Sequence, residues 1–193
     1  MKKLLLLFIL TVSAFAQKDF RVGVPVNYTA NAGYTAPSIG MSLNSDIRAK
    51  GLWFATSGKA LYSSKQDGGK GVTWGGEGRI HVSVGKQTYV GGGILWSELR
   101  VEQYTKNAYH PVVEVGKFFK FNDTRDSLVF GRYILSGNDN RNRVREITSG
   151  VRLTLPNKFN FEPEYGVMLF HYTDNPHDKR IGIVMQVTLS RSF

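Results

Sequence analysis

Ile181-Gly182-Ile183-Val184-Met185-Gln186-Val187-Thr188-Leu189-Ser190-Arg191-Ser192-Phe193 is the stretch whose reading decides the fold. Side chains on a strand alternate between two faces with a period of two. The odd-numbered positions from Ile181 to Leu189 are all large and apolar, whereas Gly182, Gln186, Thr188 and Ser190 between them are small or polar. A strand that is apolar on one face, polar on the other and closed by an aromatic fits a wall between lipid and a polar lumen. Arg191 interrupts the apolar face two residues before the end.

The opposite end carries an export pattern. Lys2 and Lys3 precede the short apolar run Leu4 to Val12, and Ala14-Phe15-Ala16 has the form of a cleavage site. The run is too short to span a bilayer as a helix. The expectation is a signal peptide over residues 1–16 and a single barrel domain over 17–193. Beyond it, no segment approaches the ~20 consecutive apolar residues of a membrane helix. With no cysteine, disulfides and thiol chemistry are excluded. The net charge is +10, or +8 without Lys2 and Lys3. In an exported chain that excess points to anionic lipid phosphates and not to nucleic acid.

Turn residues divide the mature chain into ten strand-like segments: 19–28, 37–45, 51–62, 71–85, 88–103, 111–121, 127–136, 144–155, 159–172 and 180–192. Most reach the ~9–11 residues of a tilted transmembrane strand. The predicted fold is all-β, an antiparallel up-and-down transmembrane β-barrel of ten strands. Eight is the alternative, because the first two segments are short and the first contains Pro25.

Pairing predicts the faces. If Gly85 pairs with Thr88 across a two-residue turn, Val82 faces Gly91, Ile80 faces Gly93 and Trp74 faces Leu99. Glu77, Arg79 and His81 then share a lumenal face with Trp96, Glu98 and Arg100, and Gly76, Gly78, Gly91 and Gly93 face lipid. Pairing Leu155 with Phe159 sets Leu153 opposite Phe161 and Arg152 opposite Glu162, with Glu164 diagonal to Arg152. A lumenal salt bridge is expected there. Lys59, Glu114 and Arg132 also project to the polar side. Buried charges need partners, so a cross-strand charge network in a packed polar interior is predicted. In the last hairpin, Phe193 beside Phe159 would set Ser190 opposite Glu162, Thr188 opposite Glu164 and Arg191 opposite Phe161. Aromatics gather at the strand ends: Phe20, Phe54, Phe119, Phe121, Phe159, Phe161 and Phe193 at one rim, and Tyr28, Tyr62, Trp74, Tyr104, Tyr109, Tyr133 and Tyr172 at the other. Two such girdles mark a membrane barrel.

A terminal-Phe strand behind an export signal resembles the bacterial outer-membrane β-barrel proteins. The resemblance implies residence in the outer membrane, contact with its lipid and lipopolysaccharide, and assembly by the barrel-insertion machinery. A monomer is expected. Lys65, Lys70, Lys106, Arg141, Arg143, Lys179 and Arg180 on or near the outward loops are candidates for gripping lipid phosphates. Arg48, Lys50, Lys86, Arg125 and Lys158 put positive charge at the other end too.

His171-Tyr172-Thr173-Asp174-Asn175 resembles the His-x-Ser-Asn stretch of lipid A 3-O-deacylases, which implies His171 as general base and Thr173 as nucleophile. Here Thr173 stands in place of Ser, Asp174 intervenes before Asn175, and no Glu follows in the last strand. An Asn/Asp/Pro turn accounts for the same residues. No metal-ligand spacing or phosphate loop is present, so no metal or cofactor is expected. The expected role is structural or surface-interacting, with a lipid A-modifying hydrolase or a narrow channel as alternatives.

Overall fold

Apolar and polar residues alternate along every segment the turns leave, and each segment becomes a strand. The computed structural model describes residues 17–31, 34–49, 51–66, 69–101, 104–122, 125–139, 142–172 and 179–193. Ten strands follow in chain order: β1 (Gln17–Asn31), β2 (Tyr34–Ala49), β3 (Leu52–Gln66), β4 (Gly69–Ser83), β5 (Thr88–Val101), β6 (Tyr104–Asn122), β7 (Arg125–Asp139), β8 (Asn142–Thr154), β9 (Phe159–Tyr172) and β10 (Lys179–Ser192). Each pairs antiparallel with its neighbours, and β1 pairs with β10 to close the barrel. Ten strands is therefore the correct number. β1 and β2 are longer than their predicted segments because pairing continues to Asn31↔Tyr34 beyond the short apolar patterns. Pro25 lies within β1 and has no N–H to give, and the β1–β2 ladder lapses between Gly23 and Val26.

The barrel is apolar outside. Met41, Ile94, Tyr165, Ile181 and Phe193 are 65, 58, 64, 66 and 67% exposed, and large exposed apolar side chains occur on all ten strands. Arg21, Asp46, His81, Glu114 and Arg152 are buried within. An apolar surface of that extent is foreign to a soluble monomer and matches a lipid-facing belt. Phe20, Phe121, Phe159, Phe161 and Phe193 are exposed toward the rim that holds both ends of the barrel, and Tyr28, Tyr62, Trp74 and Tyr109 toward the other. The side chains of Tyr104 and Tyr172 lie outside those described.

The three predicted registers met different outcomes. In β8–β9, Leu153 pairs with Phe161 as expected, and the same register sets Ile147 opposite Val167. The turn fixes this, since Leu155 N–H donates to Phe159 O (2.8 Å) around Pro156–Lys158. In β9–β10 the faces are as predicted but the partners shift by two residues. Thr188 faces Glu162, Gln186 faces Glu164, Ser190 faces Asn160 and Arg191 faces Phe159. The terminal residue is engaged elsewhere: Phe193 N–H donates to Phe20 O on β1 (2.9 Å), and the two rings lie 6.5 Å apart. Arg191 sits over the rings of Phe159 and Phe193, at 5.7 and 5.9 Å, which accommodates a cation at the apolar rim.

The β4–β5 register is off by one. Val84 N–H donates to Thr88 O (3.0 Å), and Gln87 takes a positive φ of 65°. The loop therefore has three residues, Gly85 to Gln87, with a left-handed residue at its end. A one-residue slip reverses every side chain of one strand. Val82 consequently pairs with Val90, Ile80 with Gly92 and Trp74 with Glu98. Trp96, Glu98 and Arg100 move to the outer face, whereas Gly91 and Gly93 move inward.

Those inward glycines have a steric reason. A Cβ on Gly91 would run into the His81 ring and lie 2.5 Å from Ile80 O, and one on Gly93 would run into Gly78 O and lie 2.8 Å from Arg79 Cα. Gly91 leaves room for the His81 ring, and Gly93 for the close approach of the β4 backbone. A Cβ on outward Gly78 meets nothing within 4 Å. Gly91→Ala is therefore expected to destabilise the barrel by about 1–3 kcal/mol through overpacking. Gly78→Ala should leave it unchanged or raise it by about 0.4–1 kcal/mol. Urea midpoints of the two variants in lipid vesicles check the contrast.

Candidate functional site

Inward positions of neighbouring strands put opposite charges within reach, and two carboxylates become hubs. The first is Glu114 on β6, 1% exposed. Arg79 from β4 and Arg132 from β7 both pair with its Oε2. On its other oxygen, Tyr89 O–H donates to Oε1 (3.0 Å) and His81 Nε2 lies 3.1 Å away. Arg79 Nε approaches Glu77 (3.0 Å) and Arg132 Nη1 reaches Glu164 (3.3 Å). Thr148 O–H also donates to Glu164 (2.6 Å). The hub thus links strands β4 to β9.

The second hub is Asp46 on β2. Arg21 from β1 donates to it at 2.8 Å and to Asp19 at 2.7 Å. Arg152 from β8 donates to Asp46 at 3.2 Å. β8 and β2 are four strands apart around the closed barrel, so this contact is a strut across the lumen. Arg152 Nε also lies 4.0 Å from Glu162, the predicted cross-strand pair.

Of the predicted network, the structure brings together Glu77, Arg79, His81, Arg152, Glu162 and Glu164 inside the barrel. Glu98 and Arg100 are a correction: they pair with each other on the outer face, and Arg100 is 63% exposed. The slip at the three-residue loop is the cause. His171, Lys65, Lys70, Lys106, Arg143, Lys179 and Arg180 have side chains outside those described, as do Thr173 and Arg141 entirely. The register alone places His171 between Arg143 and Lys179.

Asp46, Arg21, Tyr89 and Trp53 escaped the sequence reading. Asp46 lies one residue past the predicted segment 37–45, where the sequence pattern places a turn. Arg21 was visible as a charge among alternating residues. Tyr89 was hidden by the β5 slip.

Aromatics fill the inner end of the lumen. The rings of Trp53 and His81 stack at 4.2 Å, and Tyr89 meets both edge-on at 4.6 and 4.9 Å. Phe118 packs beside them, with the Arg48 guanidinium 4.2 Å over its ring. Above this layer lies a cavity of about 240 Å³, and on the side of the Gly85–Gln87 loop a smaller one of about 140 Å³; Trp53 lines both. The interior is therefore not packed throughout, as predicted, but filled at one end and hollow above. Trp96, Glu98 and Arg100 were expected to occupy that space and point outward instead.

No protein-family model and no curated protein matches the sequence. Solved structures do. The translocator domain of the autotransporter NalP from Neisseria meningitidis aligns with a TM-score of 0.50 at 11% identity, covering 98% of this chain and 95% of that one. The β domain of the Bordetella autotransporter BrkA aligns at 0.49 and 12% identity, covering 91% and 99%. Neisserial surface protein A aligns at 0.45 and 9% identity, covering 92% and 99%. At such identities the likeness speaks for the fold. The closed ring of ten antiparallel strands and the NalP alignment together give this chain the fold of the bacterial outer-membrane β-barrels.

Proposed function

We propose that this protein resides in the bacterial outer membrane as a small barrel with a structural or surface-interaction role, touching lipopolysaccharide at its outer rim. One observation carries the reading. Large apolar side chains are exposed on all ten strands while the described buried charges pair with one another inside. That arrangement is stable only with lipid outside, because exposed apolar area is otherwise unfavourable. The layer of Trp53, His81, Tyr89 and Phe118 supports a closed barrel over a channel. On the outer face, Arg100 and Arg145 are exposed and stand toward the rim opposite the chain ends, where lipid phosphates attract cations. The barrel-insertion machinery is the partner that assembly requires.

The test is refolding in lipopolysaccharide-containing vesicles, then detergent extraction and mass spectrometry of co-purifying lipid A. Intact lipid A retained by the protein, and retained less by Arg145→Gln, is the expected result. Lipid A lacking an acyl chain would replace this reading with a hydrolase. Absence of co-purifying lipopolysaccharide would remove the contact.

A further inference from the structure

We propose that the lumenal cavity is a binding site for a small zwitterionic amine of the amino-acid class, held between Glu146 and Lys59. Both side chains line the cavity of about 240 Å³. Most charges around it are engaged with one another: Arg79 and Arg132 with Glu114, and Arg21 and Arg152 with Asp46. Glu146 and Lys59 are the exceptions. Among the described residues, Glu146 makes no hydrogen bond and has no cation within ion-pair distance. Among the same residues Lys59 has no carboxylate within ion-pair distance, and its Nζ donates to Gln186 Oε1 (3.3 Å). Asn27, which pairs with Gln186 across β1–β10, also lines the cavity and has a buried Oδ1 with no partner among the described residues.

Glu146 and Lys59 are both half-buried, and a charge partly withdrawn from bulk water gains from a partner of opposite sign or several hydrogen bonds. Here an anion and a cation face one cavity without touching each other. A guest carrying both charges satisfies both: its ammonium donates to Glu146, with Asn27 Oδ1 as a further acceptor, and its carboxylate accepts from Lys59. A simple amine would leave Lys59 unmatched, and a simple carboxylate would leave Glu146 unmatched. The wall beside Glu146 is aliphatic, because its strand neighbours are Ile134 and Met168, and both line the cavity. That surface suits a short aliphatic side chain. The volume would otherwise hold about eight waters at roughly 30 Å³ each, so hydration alone is the competing occupant.

Calorimetric titration of the refolded full chain in detergent distinguishes them, with three probes of one skeleton. These are L-leucine, isoamylamine (no carboxylate) and 4-methylpentanoate (no amine). Leucine is expected to bind in the millimolar range, and each single-charge probe about tenfold more weakly, the scale of one charge-assisted contact. Glu146→Gln and Lys59→Gln should each weaken leucine binding about tenfold and erase its advantage over the probe lacking the matching charge. Silence from leucine up to about 50 mM, or equal affinity for all three probes, would leave a water-filled cavity and overturn the proposal. Leucine binding unchanged in both variants would also overturn it. Should either variant fail to fold, the three-probe comparison on the native chain still decides.

Discussion

Glu114→Ala is expected to destabilise the barrel by about 3–5 kcal/mol, the range seen when one partner of a buried ion pair is removed. Glu114 accepts from Arg79, Arg132 and Tyr89 and lies against His81, and it is 1% exposed. Deleting its carboxylate leaves two guanidiniums in one crowded layer with Glu77 and Glu164 as their remaining counter-charges. It also strands the Tyr89 hydroxyl, which costs about 1–3 kcal/mol when buried without an acceptor. Glu114→Gln keeps an acceptor for Tyr89 but not the charge, so its loss should fall between those of wild type and Glu114→Ala. Urea unfolding of both variants in vesicles, followed by the native-to-unfolded mobility shift in gels, measures the difference. Equal midpoints for wild type and Glu114→Ala would remove the hub from the account.

Asp46→Ala should cost a similar amount, about 3–5 kcal/mol, for a different geometric reason. Its carboxylate holds Arg21 from the adjacent strand and Arg152 from across the lumen. Both guanidiniums are buried, with Arg48 nearby at 4.0 Å. Without Asp46, three cations crowd one end of the interior and the strut between β2 and β8 is lost. Arg152→Met in the same chain removes one of those cations and keeps an unbranched side chain in its place. The double variant is therefore expected to recover at least about half of the loss, since replacing both members of a buried pair is far less costly than breaking it. No recovery would mean that Arg152 does not depend on Asp46.

The strand count, the outward faces of most strands and the Arg152–Glu162 pair were legible in the sequence, because period-two alternation survives even where boundaries blur. Leu153↔Phe161 was predictable because Pro156-Asn157-Lys158 announces its own turn. Gly85-Lys86-Gln87 does not. A left-handed Gln87 carries no sequence signature, so a two-residue turn looked equally sound, and that one residue reversed Trp96, Glu98 and Arg100. The glycines of β5 misled for the same reason. Gly91 and Gly93 resemble lipid-side curvature until the His81 ring and the β4 backbone at Gly78 and Arg79 are seen to need their space. The Asp46–Arg152 strut was beyond reach, since residues 106 positions apart meet only once the barrel closes. The two-residue shift of β10 accompanies a bond from Phe193 to β1, a contact no hairpin rule contains.

The central claim is the sidedness of the wall: apolar residues against lipid and charges within, with β5 turned so that Trp96 faces out and Leu95 faces in. The chain has no cysteine, so single cysteines at positions 183, 185, 186, 95 and 96 can each carry a fluorophore in vesicles of brominated lipid. The account predicts strong quenching by the brominated acyl chains at 183, 185 and 96, and little at 186 and 95. Quenching at 186 and 95 in place of 183, 185 and 96, or equal quenching at all five, would contradict it.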